Sequence, residues 1–253
     1  MKKRRGQVTI FIIVAIVIVV LGILIYMFYP QIKSSLGGGE ENPSIFIQTC
    51  LEESIQEKAN LIELQGGSFE PEFFYQYLGD KIEYLCYTGE YYETCVVQES
   101  MLKQHVETEI KSSIQNEVQA CFNSLRESYQ DKGYNVQMRP GDTIVELLPK
   151  RIVTRFDYRV TLTKDGTENY ESFNVVLNNN LYELISIANS ILAWEAIYGD
   201  AETTTYMNYY PDLKVEKKKE TDGTTIYILT DRNTGNKFQF ASRSVAWPPG
   251  YDI

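Results

Sequence analysis

Histidine is almost absent from this chain: His105 is the only one among 253 residues. A serine or cysteine nucleophile with a histidine base would have to be built on that residue. It stands one position before Val106 in an amphipathic helical pattern, so it reads as a solvent-facing side chain. The sequence also lacks H-E-x-x-H, G-x-x-x-x-G-K-[ST] and G-x-G-x-x-G, and with them the zinc-protease, P-loop and dinucleotide signatures. Asp231 to Asn236 begins like a calcium loop, but the twelfth position is Ser242 and not a bidentate acid, so the segment reads as a hairpin turn. No N-x-[ST] sequon with x other than Pro is present. No catalytic residue, metal ligand or cofactor is expected, and the chain is read as non-enzymatic.

Charge of one sign is also short. The net charge is −10, from 24 basic and 34 acidic residues. Lys2, Lys3, Arg4 and Arg5 account for four of the basic residues, so everything beyond them carries 20 against 34. A body that acidic repels phosphate backbones, which excludes nucleic acid as a partner. Charged residues are missing altogether from Val8 to Tyr29, an apolar run of 22 positions. As a helix this run is about 33 Å long, enough for a hydrocarbon core of about 30 Å. The four cations before it set a single-pass topology with the N-terminus cytoplasmic and the C-terminal body extracellular. Membrane lipid is thus the partner of residues 8–29.

The leader has no small-residue cleavage site after the apolar run. Arg4-Arg5-Gly6-Gln7 directly before an apolar helix instead resembles the class III signal of archaeal type IV pilin-like proteins. That resemblance implies cleavage between Gly6 and Gln7 and self-assembly through the N-terminal helix. Many such pilins carry a glutamate at the fifth mature position, where this chain has Phe11, and their spines continue unbroken into the head. Here Pro30 and Gly37-Gly38-Gly39 interrupt, which points to a tether over residues 30–43. Cys50-Leu51 near the start of the next helix and Gln65-Gly66-Gly67 at its end are similar to membrane-anchored surface proteins of small-genome archaea, a likeness that implies no activity.

Beyond the tether, Ile47, Leu51, Ile55, Ala59 and Ile62 recur at helical spacing, with Gly66 as a left-handed cap. Leu102, Val106, Ile110, Ile114, Val118, Cys121 and Leu125 trace a second helix of about six turns. Between the two helices, Ile82–Cys86 and Tyr91–Val97 flank Thr88-Gly89-Glu90 as a hairpin. The four cysteines, Cys50, Cys86, Cys95 and Cys121, include no C-x-x-C pair, and in an exported domain an even number reads as disulfides. Cys86 pairs with Cys95 across the turn, and Cys50 with Cys121 between helix faces.

From Gly133 the pattern turns to alternation. Tyr134–Met138 and Thr143–Leu148 flank the turn-forming Arg139-Pro140-Gly141-Asp142, Ile152 to Leu162 alternate through a long strand, and Tyr170–Leu177 return antiparallel to it. Leu181, Leu184, Ile185, Ala188, Ile191, Leu192 and Ile197 form a third helix, and strands follow at Leu213–Lys219, Thr225–Thr230 and Lys237–Arg243.

The expected fold class is α+β: an N-terminal transmembrane helix, then amphipathic helices against one face of an antiparallel β-meander sheet, stapled by disulfides. The regions are a basic leader (1–6), a transmembrane or pilin-like helix (7–29), the tether (30–43), a helical cysteine-containing region (44–132) and a sheet with a helix (133–253). Nineteen tyrosines is a high count, and tyrosine suits contact surfaces; Tyr75, Tyr77, Tyr87, Tyr91 and Tyr92 are the candidate binding surface. The expected function is a membrane-anchored surface protein that binds an envelope partner or serves the envelope. A pilin-like filament subunit is the second reading, and an extracytoplasmic hydrolase a distant third.

Overall fold

The computed structural model describes residues 42–246. The expectations placed on 1–41, namely processing at Gly6 and Gln7, the apolar helix and most of the tether, lie outside the described residues. Among the described residues no helix is long and apolar enough to cross a membrane.

Helix α1 is Pro43–Leu64, opened by a proline that needs no hydrogen-bond partner there. It buries the expected stripe from Ile47 to Ile62. Gly66 takes φ 88° while the Gly67 N–H donates back to the Ile62 carbonyl at 3.0 Å, a Schellman end. Strands β1 (Phe74–Tyr77), β2 (Asp80–Tyr87) and β3 (Val96–Val97) follow. The strand expected at Tyr91–Val97 shrinks to these last two residues. Tyr92 sits at φ 67°, and its N–H bonds the Val245 carbonyl instead of β2.

Helices α2 (Leu102–Ser113) and α3 (Gln115–Asp131) replace the single helix read from the sequence. The break is at Ile114, φ −101° and ψ 0°, where the Ser113 hydroxyl donates to the Ile110 carbonyl at 3.0 Å and competes with the regular ladder. The buried stripe runs through the break unchanged, from Leu102 to Leu125.

Six strands come next: β4 (Asn135–Arg139), β5 (Thr143–Leu148), β6 (Arg151–Phe156), β7 (Arg159–Thr163), β8 (Thr167–Tyr170) and β9 (Phe173–Asn178). They pair as β4-β7-β8 and β5-β6-β9, antiparallel throughout. Arg139 to Asp142 is therefore no hairpin turn, since β4 and β5 both pair with the next excursion of chain and not with each other. It is a bend in one long outer strand. A Cβ on Gly141 would fall 2.0 Å from the Asp157 carbonyl oxygen, so glycine is what lets the two chains close at the bend.

Helix α4 (Leu181–Tyr198), the short α5 (Thr203–Tyr209) and strands β10 (Leu213–Lys219), β11 (Thr224–Asp231) and β12 (Lys237–Arg243) complete the described chain. The third, six-stranded sheet has the order β1-β2-β12-β11-β10, with β3 beside β2; β12 and β2 run parallel and the other pairs antiparallel.

The fold is α+β, with mostly antiparallel sheets and two disulfides. Helices do not line one face of one sheet, as the sequence suggested, but are shared among the sheets. α1 packs on β9 and on β12, and α4 on β11–β12 and on β5–β6. A helix placed this way needs apolar residues on more than one side, which α4 has. Cys50 of α1 is bonded to Cys121 of α3 with Cα atoms 6.1 Å apart, and Cys86 of β2 to Cys95 with Cα atoms 5.3 Å apart. These are the two pairs that the spacing suggested.

Candidate functional site

The Cys86–Cys95 loop is held by the strip that follows β12. Tyr92 N–H donates to the Val245 carbonyl at 2.7 Å and Val245 N–H to the Glu93 carbonyl at 3.1 Å, while Cys95 N–H donates to Ser244 Oγ at 3.2 Å. On its other side the same strip meets the last turn of α4. Ser244 Oγ donates to the Glu195 carbonyl at 3.4 Å, and Gly199, in the left-handed region at φ 77°, lies so close to Ala246 that a Cβ would clash.

Large apolar side chains stand exposed on both flanks of this strip. The loop side offers Tyr91, Tyr92 and Val96, at 64%, 71% and 67% exposure; the α4 side offers Trp194, Ile197 and Tyr198. The Trp194 and Tyr198 rings lie 4.8 Å apart, as i and i+4 neighbours on a helix do. The outward face of α4 is polar in its first half, at Ser186 and Asn189, and apolar only here.

Tyr75, Tyr77 and Tyr87 lie elsewhere. They cover Ile82, Tyr84, Ile226 and Ala241 on the face of the six-stranded sheet turned away from the helices, with Tyr84 edge-on to Tyr75 and Tyr87. Of the five tyrosines read as one surface, the structure puts Tyr91 and Tyr92 with Trp194, Ile197 and Tyr198, and the other three in a separate aromatic cover. The α4 residues were missed because Ile197 fits an apolar stripe on spacing alone. The position that α4 buries there is Glu195, seven residues after Ala188 and so on the same helical face.

Glu195 forms a buried cluster under the loop. Tyr227 Oη donates to its Oε1 and Ser242 Oγ to its Oε2 at 3.1 Å, and Ser242 Oγ lies 3.6 Å from Cys95 Sγ. Burial raises the Glu195 carboxyl above its usual range despite both hydrogen bonds. Burial, reinforced by the Glu195 charge, holds the Tyr227 phenol well above its own. The cluster ties α4, β11 and β12 to the disulfide.

A second cluster corrects the reading of His105 as a solvent-facing residue. Gly67 packs on Leu102 and Val106, where a Cβ would meet their side chains at 3.1 and 3.2 Å, and this brings the chain after α1 over that face of α2. Ser68 Oγ then lies 2.8 Å from His105 Nε2, and His105 Nδ1 3.6 Å from Glu99. The order serine, histidine, acid has the outline of a nucleophile relay, but two details direct it otherwise. The one hydroxyl proton of Ser68 is donated to Glu83 Oε2 at 2.6 Å, and the next N–H, of Phe69, is spent on Glu109 Oε2 at 2.8 Å. An acyl-transfer site aims that donor at its oxyanion. Burial raises the Glu83 carboxyl, opposed by the Ser68 hydrogen bond and the His105 charge. The arrangement shares protons and pins α1, β2 and α2 together.

Among the described residues no three His, Cys, Asp or Glu side chains converge as metal ligands. Asp231 serves the β11–β12 turn, accepting from Asn233 and Thr234 N–H groups. Known proteins offer no parallel: no family model matches the chain, no curated protein is similar to it and no solved structure resembles it.

Proposed function

We propose that this chain is a non-enzymatic surface protein, anchored by the apolar run Val8–Tyr29 in an archaeal-type cell membrane, with its folded part outside the cell. In this reading the exposed side chains flanking residues 244–246 contact an envelope partner. The observation that carries it is the complete pairing of all four cysteines into two disulfides, with no free thiol left. Such bonds persist in oxidising compartments, and the charge asymmetry around the apolar run sends the same residues outward.

The test is protease shaving of intact cells combined with thiol labelling. The expected outcome is release of the folded part from the cell surface with all four cysteines blocked until reduction. A full-length cytosolic protein with four reactive thiols would overturn the proposal. A filament subunit is the second reading, favoured by Gly6-Gln7 before the apolar run. It predicts loss of residues 1–6 in the intact mass and labelled fibres in sheared surface material. Retention of Met1 removes that reading and leaves the anchored one.

A further inference from the structure

A cleft of about 490 Å³ lies between α3 and the bend where β4 gives way to β5. Its floor is aromatic. Tyr158 stacks on Phe122 with ring centroids 3.9 Å apart and planes 11° from parallel. Phe122 is fully buried, and half-buried Tyr158 lines the cleft above it. The helix wall presents Asn116, Gln119, Asn123 and Arg126, at the three- and four-residue steps that put side chains on one helical face. Among the described residues these four side chains make no hydrogen bond or ion pair. The other cation of the cleft, Lys111, is already bound to Asp142 at 2.8 Å. Arg126 is therefore surplus positive charge in a chain of net charge −10.

The geometry points to a binding site for an acidic sugar, a hexuronate unit of a polysaccharide. Arg126 takes the carboxylate through its two-pronged donor set. Asn116, Gln119 and Asn123 each bring a donor and an acceptor to ring hydroxyls, and the Tyr158 ring in the lining takes the apolar face of the sugar ring. A neutral sugar would leave the guanidinium desolvated and unpaired, and an apolar ligand would strand the amides as well. The inference rests on the cleft alone and requires neither the anchor nor the exposed side chains flanking residues 244–246.

Full-length protein in phosphatidylcholine nanodiscs, free of sugar-headed detergent, is titrated calorimetrically with oligogalacturonate and with a neutral galactose oligomer. The acidic oligomer is expected to bind at least tenfold more tightly. Arg126→Gln, which removes no hydrogen bond or ion pair among the described residues, is expected to erase that preference while shifting the melting temperature little. Tyr158→Leu is expected to weaken both ligands, and Gln119→Ala with Asn123→Ala to weaken the acidic one severalfold. Equal affinity for the two oligomers, no binding of either by protein with both disulfides intact, or an unchanged preference in Arg126→Gln overturns the inference. Displacement of the oligomer by equimolar inorganic phosphate overturns it too, since the cleft would then read charge and not sugar. None of these outcomes bears on cell-surface exposure, which the shaving experiment decides separately.

Discussion

The Cys50–Cys121 bond joins two helices across 71 residues of sequence, whereas Cys86 and Cys95 close a loop of nine. A buried glutamate lies on one helix of each region, at the far end of α1 in the first and under the disulfide in the second. Glu63, 13 residues beyond Cys50 on α1, accepts from Asn179 Nδ2 at 2.6 Å, and Glu195 reaches Cys95 through Ser242. The difference lies in what each bond constrains. The long crosslink joins exposed Cys50 to buried Cys121 beside the place where the stripes of α1 and α3 meet, and it restricts the unfolded chain most. The short one fixes the course of a loop whose outer side chains are exposed. The first region is built for persistence and the second for presentation.

Removing the long crosslink tests this contrast most severely. In the chain-entropy description, closing a loop of that length contributes about 4.4 kcal/mol, an upper figure. Cys50→Ala with Cys121→Ala is expected to lose most of that in urea unfolding and to lower the melting temperature more than loss of the short crosslink does. A loss below about 1 kcal/mol would mean that helix packing alone sets the arrangement.

The buried glutamate at the other end of α1 comes next. Burial raises the Glu63 carboxyl to about 7, against hydrogen bonds from Asn179 and the Lys237 backbone. The folded state thus holds this proton more tightly than the unfolded state. Its stabilising contribution is complete below the unfolded value near 4.5 and is lost as pH rises through about 7. A shift of this size corresponds to roughly 3 kcal/mol. The protein is expected to be more stable at pH 5 than at pH 8 under non-reducing conditions, and Glu63→Gln to flatten that slope and raise stability at pH 8. Glu195 and Glu83 shift in the same direction, so part of the slope survives in that variant. A wild-type stability that rises from pH 5 to pH 8 would contradict the buried, protonated Glu63.

Much of this architecture was legible in the sequence because it rests on periodicity. The stripe of α3 includes Cys121 and that of α1 passes beside Cys50, which is itself exposed, and the turn placed Cys86 near Cys95. What spacing could not show is what arrives from elsewhere in the chain. His105 has an exposed helical position, and only Gly67 packing on Leu102 and Val106 covers it. Ile197 fitted an apolar stripe, yet the hydroxyls of Tyr227 and Ser242 make Glu195 the buried residue at that end of α4. Pro140-Gly141 has the chemistry of a turn, but pairing with β6 and β7 makes it a bend. Phe122 and Tyr158 meet only because that bend exists, so the cleft had no local signature at all.

The short crosslink offers a smaller and more local effect. Its loop entropy corresponds to about 2.7 kcal/mol at most, and Cys86→Ala with Cys95→Ala is expected to cost less than the loss of the long bond. Hydrogen exchange should localise the damage: amides of residues 88–95 and 244–246 lose protection while those of α1 and α3 keep it. Loss of protection in α1 would show that the two regions unfold together and do not differ in the way proposed.

The smallest expected change in stability tests what the loop presents. Tyr91 and Trp194 are exposed on opposite flanks of residues 244–246, and substitutions at such positions fall within about 0.5 kcal/mol. Tyr75, by contrast, packs edge-on to Tyr84 over a small buried cluster, so Tyr75→Ser is expected to cost more than Tyr91→Ser although both remove the same ring. If the exposed flanks serve contact, Tyr91→Ser with Trp194→Ser will leave the melting temperature nearly unchanged while capture of envelope components by the full-length protein falls severalfold. Equal capture by this variant and wild type would strip the flanks of that role. The rings would then have to be explained as cover for the strip between them, and the short crosslink as a staple of the same kind as the long one.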